Sequence, residues 1–171
     1  MNRSTTMPRT RASSACSAFA LLALAGCAGY SPGDLRTGAT EAELRARMGE
    51  PTGRYALPRG SRVEYARGPM GKHTYMVELD AAGRVAGWQQ VLTEANFESV
   101  AVGAAPTDVR QLLGRPSEAR TGWRGVGEVW SYRYDALFCR WFQIWLVEGR
   151  VREASYAVDP SCDDARRYPD E

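Results

Sequence analysis

The chain repeats itself, and that repeat limits what it can fold into more than any other feature. The segment ATEAELRARMGEP at Ala39 to Pro51 is answered by APTDVRQLLGRP at Ala105 to Pro116. Gly49 pairs with Gly114 and Pro51 with Pro116, both at a spacing of 65 residues. Each copy reads as a short helix with a Thr N-cap (Thr40, Thr107) and an acidic residue in the first turn. Apolar residues follow at helical spacing (Leu44 and Met48; Val109, Leu112 and Leu113), then a glycine stop with proline two residues on. The second halves correspond too: YMVELDAAGRV (Tyr75 to Val85) matches FQIWLVEGRV (Phe142 to Val151) once one residue is removed from the turn. Alternating apolar residues around a glycine turn predict a hairpin in each. Upstream, RVEYA and EVWSYRY each read as one more strand, with Tyr65 aligned to Trp130. Short helical stretches, Pro32 to Thr37 and Thr93 to Val100, precede the capped helices, each followed by a glycine turn at Gly38 or Gly103.

Each unit therefore reads helix, helix, strand, strand, strand, which implies an α+β fold: two tandem units forming an antiparallel sheet with helices on one face. One unit of about 60 residues buries little core alone. The two, 35–92 and 93–158, are expected to join in one continuous six-stranded sheet, with 159–171 left as a C-terminal tail.

The first residues read differently. Arg3, Arg9 and Arg11 precede a short apolar stretch that ends in small residues at Leu24-Ala25-Gly26-Cys27, the layout of a secretory signal. The stretch is shorter than the about 20 apolar residues a membrane-spanning helix needs. Leu24 to Cys27 resembles the lipobox of bacterial lipoproteins, in which the cysteine is lipidated and becomes the first residue. The other reading is an ordinary cleaved signal with a chance cysteine. The resemblance implies a signal peptide over 1–26, lipid on Cys27 and a tether over 27–34, which reaches no more than roughly 25 Å. Ala28, where inner-membrane lipoproteins tend to carry Asp, implies the outer membrane. Several acyl chains would make the anchoring effectively permanent.

The whole chain carries 22 basic and 20 acidic residues, but Arg3, Arg9 and Arg11 lie before Cys27 and no acidic residue does, so the mature balance is −1. No positive field remains to recruit nucleic acid. Cys16 leaves with the signal, and Cys139 and Cys162 remain as one pair. In an oxidising compartment they are a disulfide candidate worth about 3 kcal/mol; two free buried thiols are the alternative.

Catalysis is not expected. A histidine relay would have to run through His73, the one histidine, and no Gly-x-Ser-x-Gly elbow is present. Gly68-Pro69-Met70-Gly71-Lys72 lacks phosphate-loop spacing and reads as a hairpin tip. The tail carries Asp163, Asp164, Asp170 and Glu171 without the spacing of a metal site. No metal and no cofactor are expected.

The order of elements, with Thr40, Gly49 and Pro51 in the first copy and Gly103, Asp108, Val109, Gly114, Pro116, Trp130, Gly149 and Val151 in the second, resembles the SmpA/OmlA (BamE-like) family of outer-membrane lipoproteins. That family carries one such unit. Two in tandem resemble the β-lactamase inhibitor protein, whose repeats form a concave sheet that grips its target. The resemblance implies a lipid-anchored protein on the periplasmic face of the outer membrane, a non-enzymatic scaffold or accessory subunit in outer-membrane protein assembly or envelope maintenance. Its implied partners are β-barrel assembly components. An inhibitor or ligand-binding lipoprotein using the concave face is the alternative.

Strand alternation points to where a partner would sit. Tyr75, Val77 and Leu79 align with Phe142, Ile144 and Leu146, and this apolar face should meet the helices. On the other face Thr74, Met76 and Glu78 align with Trp141, Gln143 and Trp145. Exposed tryptophans there would mark a binding surface, which Trp88 and Trp123 could extend. Alternatively the tail, held by a Cys139–Cys162 bridge, covers that face.

Overall fold

The computed structural model describes Met1 and residues 29–162. The expected signal peptide, Cys27 and tail residues 163–171 lie outside the described residues. The first unit consists of helix α1 (Glu41–Met48) and strands β1 (Gly53–Ala56), β2 (Ser61–Ala66), β3 (Thr74–Leu79) and β4 (Val85–Gln90). The second consists of helices α2 (Glu94–Glu98) and α3 (Pro106–Leu113) and strands β5 (Glu118–Thr121), β6 (Glu128–Arg133), β7 (Arg140–Val147) and β8 (Arg150–Val158). The fold is α+β, with two antiparallel four-stranded sheets in the orders β1-β2-β3-β4 and β5-β6-β7-β8.

This corrects the expected single six-stranded sheet. Each unit adds a four-residue strand, β1 or β5, too short to show alternation in sequence, and each unit forms a separate open meander. Pro32–Thr37 forms turns, not a helix.

The units match in detail. Gly38 N–H donates to Val85 O (2.7 Å) and Val85 N–H to Ala39 O (2.8 Å). In the second unit Gly103 N–H donates to Val151 O (2.8 Å) and Val151 N–H to Ala104 O (3.0 Å). Arg84 and Arg150 each donate from Nη1 to the carbonyl of the paired glycine, at 3.0 and 3.3 Å. A β-bulge interrupts β3–β4 at Glu78/Leu79 and β7–β8 at Trp145/Leu146, positions that the hairpin alignment equates. The strand pairing revises one aligned pair. Tyr65 faces Tyr75 and Tyr132 faces Phe142, so Tyr65 corresponds to Tyr132 and Trp130 to Val63. Two extra residues in the β5–β6 connection shift the spacing from 65 to 67.

Capping differs between the copies. At α1 the Thr40 hydroxyl accepts from Glu43 N–H (3.2 Å) and the Glu43 carboxylate accepts from Thr40 N–H (2.7 Å), a reciprocal box. The expected cap at Thr107 is corrected: Ala105 is the N-cap, Pro106 opens the helix, and the Asp108 carboxylate accepts from Ala105 N–H at 3.2 Å. Proline at the first helical position leaves one donor fewer to satisfy, which lets alanine stand where threonine stood.

Two cores form. Leu44 and Met48 of α1 pack with Val63, Tyr65, Tyr75, Val77, Leu79 and Val85. Phe97, Val109 and Leu113 of α2 and α3 pack with Trp130, Tyr132, Phe142, Ile144 and Leu146, and here Met76 and Tyr55 of the first sheet join them. The side of β3 opposite α1 is thus also buried, with Thr74 and Met76 both inaccessible. Each buried aliphatic or aromatic side chain contributes about 1.5–3 kcal/mol, so the second core binds the two units together.

Candidate binding surfaces

The structure does not gather the four tryptophans. Trp141 is 1% exposed, which corrects the expectation that it offers a docking surface. The guanidiniums of Arg133 and Arg120 lie over its ring, 5.1 and 5.9 Å from the centroid; such stacking removes an aromatic face from water at little cost to the charges. Trp145, on the same side of β7, is half-buried and donates from Nε1 to Val126 O at 3.0 Å. Trp88 faces Val77 across β3–β4 and so lies on the α1 side of its sheet, edge-on to Tyr75 at 5.9 Å. Trp123 occupies a single 3-10 turn in the β5–β6 connection, is 74% exposed, and carries Arg124 over its ring at 4.1 Å.

The lid on Trp141 is held from the C-terminal side. Arg133 Nε and Nη2 donate to the two carboxylate oxygens of Asp159, at 2.6 and 3.1 Å, and Nη1 donates to Pro69 O at 2.9 Å. Burial pushes the Asp159 carboxyl up, but the Arg133 guanidinium and the Ser161 N–H and hydroxyl outweigh it, and its pKa is lowered overall. Three residues on, Cys162 is disulfide-bonded to Cys139, with a Cα–Cα distance of 6.1 Å across a separation of 23. The pair left open by the sequence is bonded.

Two loops at that end carry apolar side chains that the sequence reading passed over. Leu137 is 99% exposed and Phe138 75% in the β6–β7 loop, and Met70 is 65% exposed in the β2–β3 loop. Both loops line one open cavity, together with Lys72 and Arg140. The available signal was the run Ala136-Leu137-Phe138 between two strands, where turn residues were due.

The described chain enters beside the same hairpin. Gly29 N–H donates to Arg47 O (2.5 Å), and Arg67 donates from Nη2 to Gly29 O and from Nε to Tyr30 O, both 2.7 Å. The Tyr30 hydroxyl and His73 Nδ1 are hydrogen-bonded at 2.9 Å, and His73 stacks on Tyr75 with centroids 6.0 Å apart. The one histidine thus sits among phenols. Among the described residues no group of three His, Cys, Asp or Glu could hold a metal ion, and no helix is long and apolar enough to cross a membrane.

Glu64 occupies the seam between the units. It is fully buried, and its carboxylate accepts from Tyr55 Oη (2.5 Å), Thr52 Oγ1 (2.9 Å) and Arg115 N–H (3.1 Å). Burial first, and then the hydrogen bond to this carboxylate, raise the Tyr55 hydroxyl above the ordinary phenol range and keep it a donor. Tyr132, raised by burial, donates to Gly114 O at 3.1 Å from the other side.

No family model matches the chain, and no curated protein matches it. Among solved structures the chain is similar to a Streptococcus mutans protein described as a "putative beta-lactamase inhibitor protein", at 11% identity over 76% of this chain and 89% of that one, with a TM-score of 0.32.

Proposed function

We propose that the protein is a non-enzymatic envelope lipoprotein, a scaffold or accessory subunit in outer-membrane protein assembly or envelope maintenance. In this reading Cys27 carries lipid at the periplasmic face of the outer membrane, and two SmpA/OmlA-like units, the first with helix α1 and the second with α2 and α3, present a surface to a protein partner. The observation that carries it is the fastening of Gly29 and Tyr30 to Arg47, Arg67 and His73. A lipid on Cys27, two residues before Gly29, would hold the folded part within about 7 Å of that attachment, much closer than a free 27–34 tether. A body held so near a bilayer suits a subunit of a membrane assembly. Trp123 and Arg124, at the opposite end of β6 from the loop of Phe138, are the protein-docking candidates this orientation leaves free.

Replacing Cys27 with Ser tests the anchor. The wild type should incorporate labelled palmitate and fractionate with membranes, and the variant should incorporate none; an unlabelled wild type, or a variant labelled like it, overturns it. A photoreactive side chain at position 123 in intact cells then tests the partner. Crosslinking to a β-barrel assembly subunit supports the scaffold role, whereas a soluble enzyme or a sugar polymer in its place supports the inhibitor or ligand-binding role.

A further inference from the structure

We propose that Met70, Leu137 and Phe138 form a foot that inserts into the boundary between headgroups and acyl chains of the bilayer, and so sets which way the body stands. Three large apolar side chains stand in water on adjacent loops, with exposures of 65%, 99% and 75%. Soluble surfaces rarely cluster such groups without a binding role. The loops are held in place: Arg133 ties Pro69 to Asp159, the Cys139–Cys162 bridge closes the base of the second loop, and Lys72 approaches Asp135 at 4.0 Å. Rigid presentation makes insertion cost little ordering.

Lipid, not protein, is the occupant because of where Gly29 and Tyr30 are held. Arg67 directly follows β2 and His73 directly precedes β3, and the Met70 loop is the connection between them. Gly29 and Tyr30 are hydrogen-bonded to those two residues. Gly29, two residues after Cys27 in the sequence, is therefore held at the base of the Met70 loop. Tyr30, half-exposed, adds the amphipathic ring favoured at a membrane interface, and Lys72 at the rim is suited to headgroup phosphates, whereas Arg140 there is paired with Glu94. The inference rests on the lipid reading of Cys27 for its direction. The exposure of the foot does not depend on it.

The test uses the processed protein purified from membranes and reconstituted in phosphatidylcholine–phosphatidylglycerol vesicles with brominated acyl chains, which quench indoles that enter them. A Phe138→Trp variant should gain fluorescence that is quenched about twofold or more over the native tryptophans, Trp123 among them, as expected for burial at interface depth. Adding Met70→Ser and Leu137→Ser should lower that quenching while leaving thermal unfolding unchanged, since both side chains are exposed. Failure of the anchor shows separately, as absence of palmitate on the chain, and quenching is then read on that soluble chain mixed with the same vesicles. An indole at position 138 that bromine does not reach, or native tryptophans quenched more than it, overturns the proposal. So does a photoreactive side chain at 138 that crosslinks to protein in place of lipid.

Discussion

At the scale of single residues, the molecule depends on polar groups buried where apolar ones would be expected. Glu64 accepts three hydrogen bonds from both units, and hydrogen bonds to a charged group are each worth about 1.5–3 kcal/mol. Glu64→Ala strands the Tyr55 hydroxyl and the Arg115 N–H, and should lower the unfolding free energy by about 3 kcal/mol in urea titration. Gly114 shares the seam. Its φ of +78° belongs to glycine, and a Cβ there would lie 2.8 Å from Thr74 Cγ2 and 3.0 Å from Glu64 Cδ. Gly114→Ala should therefore cost more than the about 1 kcal/mol charged for backbone alone, again read in urea.

Asp159 supplies the pH dependence. Its carboxyl pKa is lowered in the folded state, so its contribution is fully present above the ordinary carboxyl pKa and is lost as pH falls through the lowered value. Acid titration of tryptophan fluorescence should show Trp141, under the Arg133 lid, responding in that window. Asp159→Ala should abolish the step and cost about 3 kcal/mol at neutral pH, because it leaves a buried guanidinium without its counter-charge.

At the scale of elements, the disulfide closes a loop of 23 residues that contains β7, β8 and the turns flanking them. Reduction, or Cys139→Ser with Cys162→Ser, should lower stability by about 3 kcal/mol, measured as a shift in the denaturation midpoint, and should loosen the loop of Leu137 and Phe138. Helix stops and the two long hairpins were legible in the sequence because glycine, proline and alternation mark local geometry directly. The cap of α3 was misread because proline at N1 and Asp108 do the work that Thr40 and Glu43 do in α1. β1 and β5 escaped because four residues cannot display a period.

At the scale of the whole molecule, α3 lies between the sheets. Arg62 donates from Nη1 to Gln111 O at 3.1 Å, Arg115 N–H reaches Glu64, and Met76 sits in the second core. The two units should unfold together, so far-UV circular dichroism and tryptophan fluorescence should give coincident transitions. A chain ending before Thr93 would leave Thr74, Met76 and Glu64 without cover and should not fold alone.

By itself the sequence determined the doubling and the hairpin faces, since these follow from spacing along the chain; that Cys139 and Cys162 meet was left to the tertiary structure. Only the tertiary structure decided that there are two sheets instead of one, that Trp141 is roofed by arginine while Leu137 and Phe138 stand in water, and that Glu64 is sealed in a seam. Periodicity says which side of an element is apolar. What comes to lie against that side depends on contacts tens of residues away, and on loops whose shape no period records.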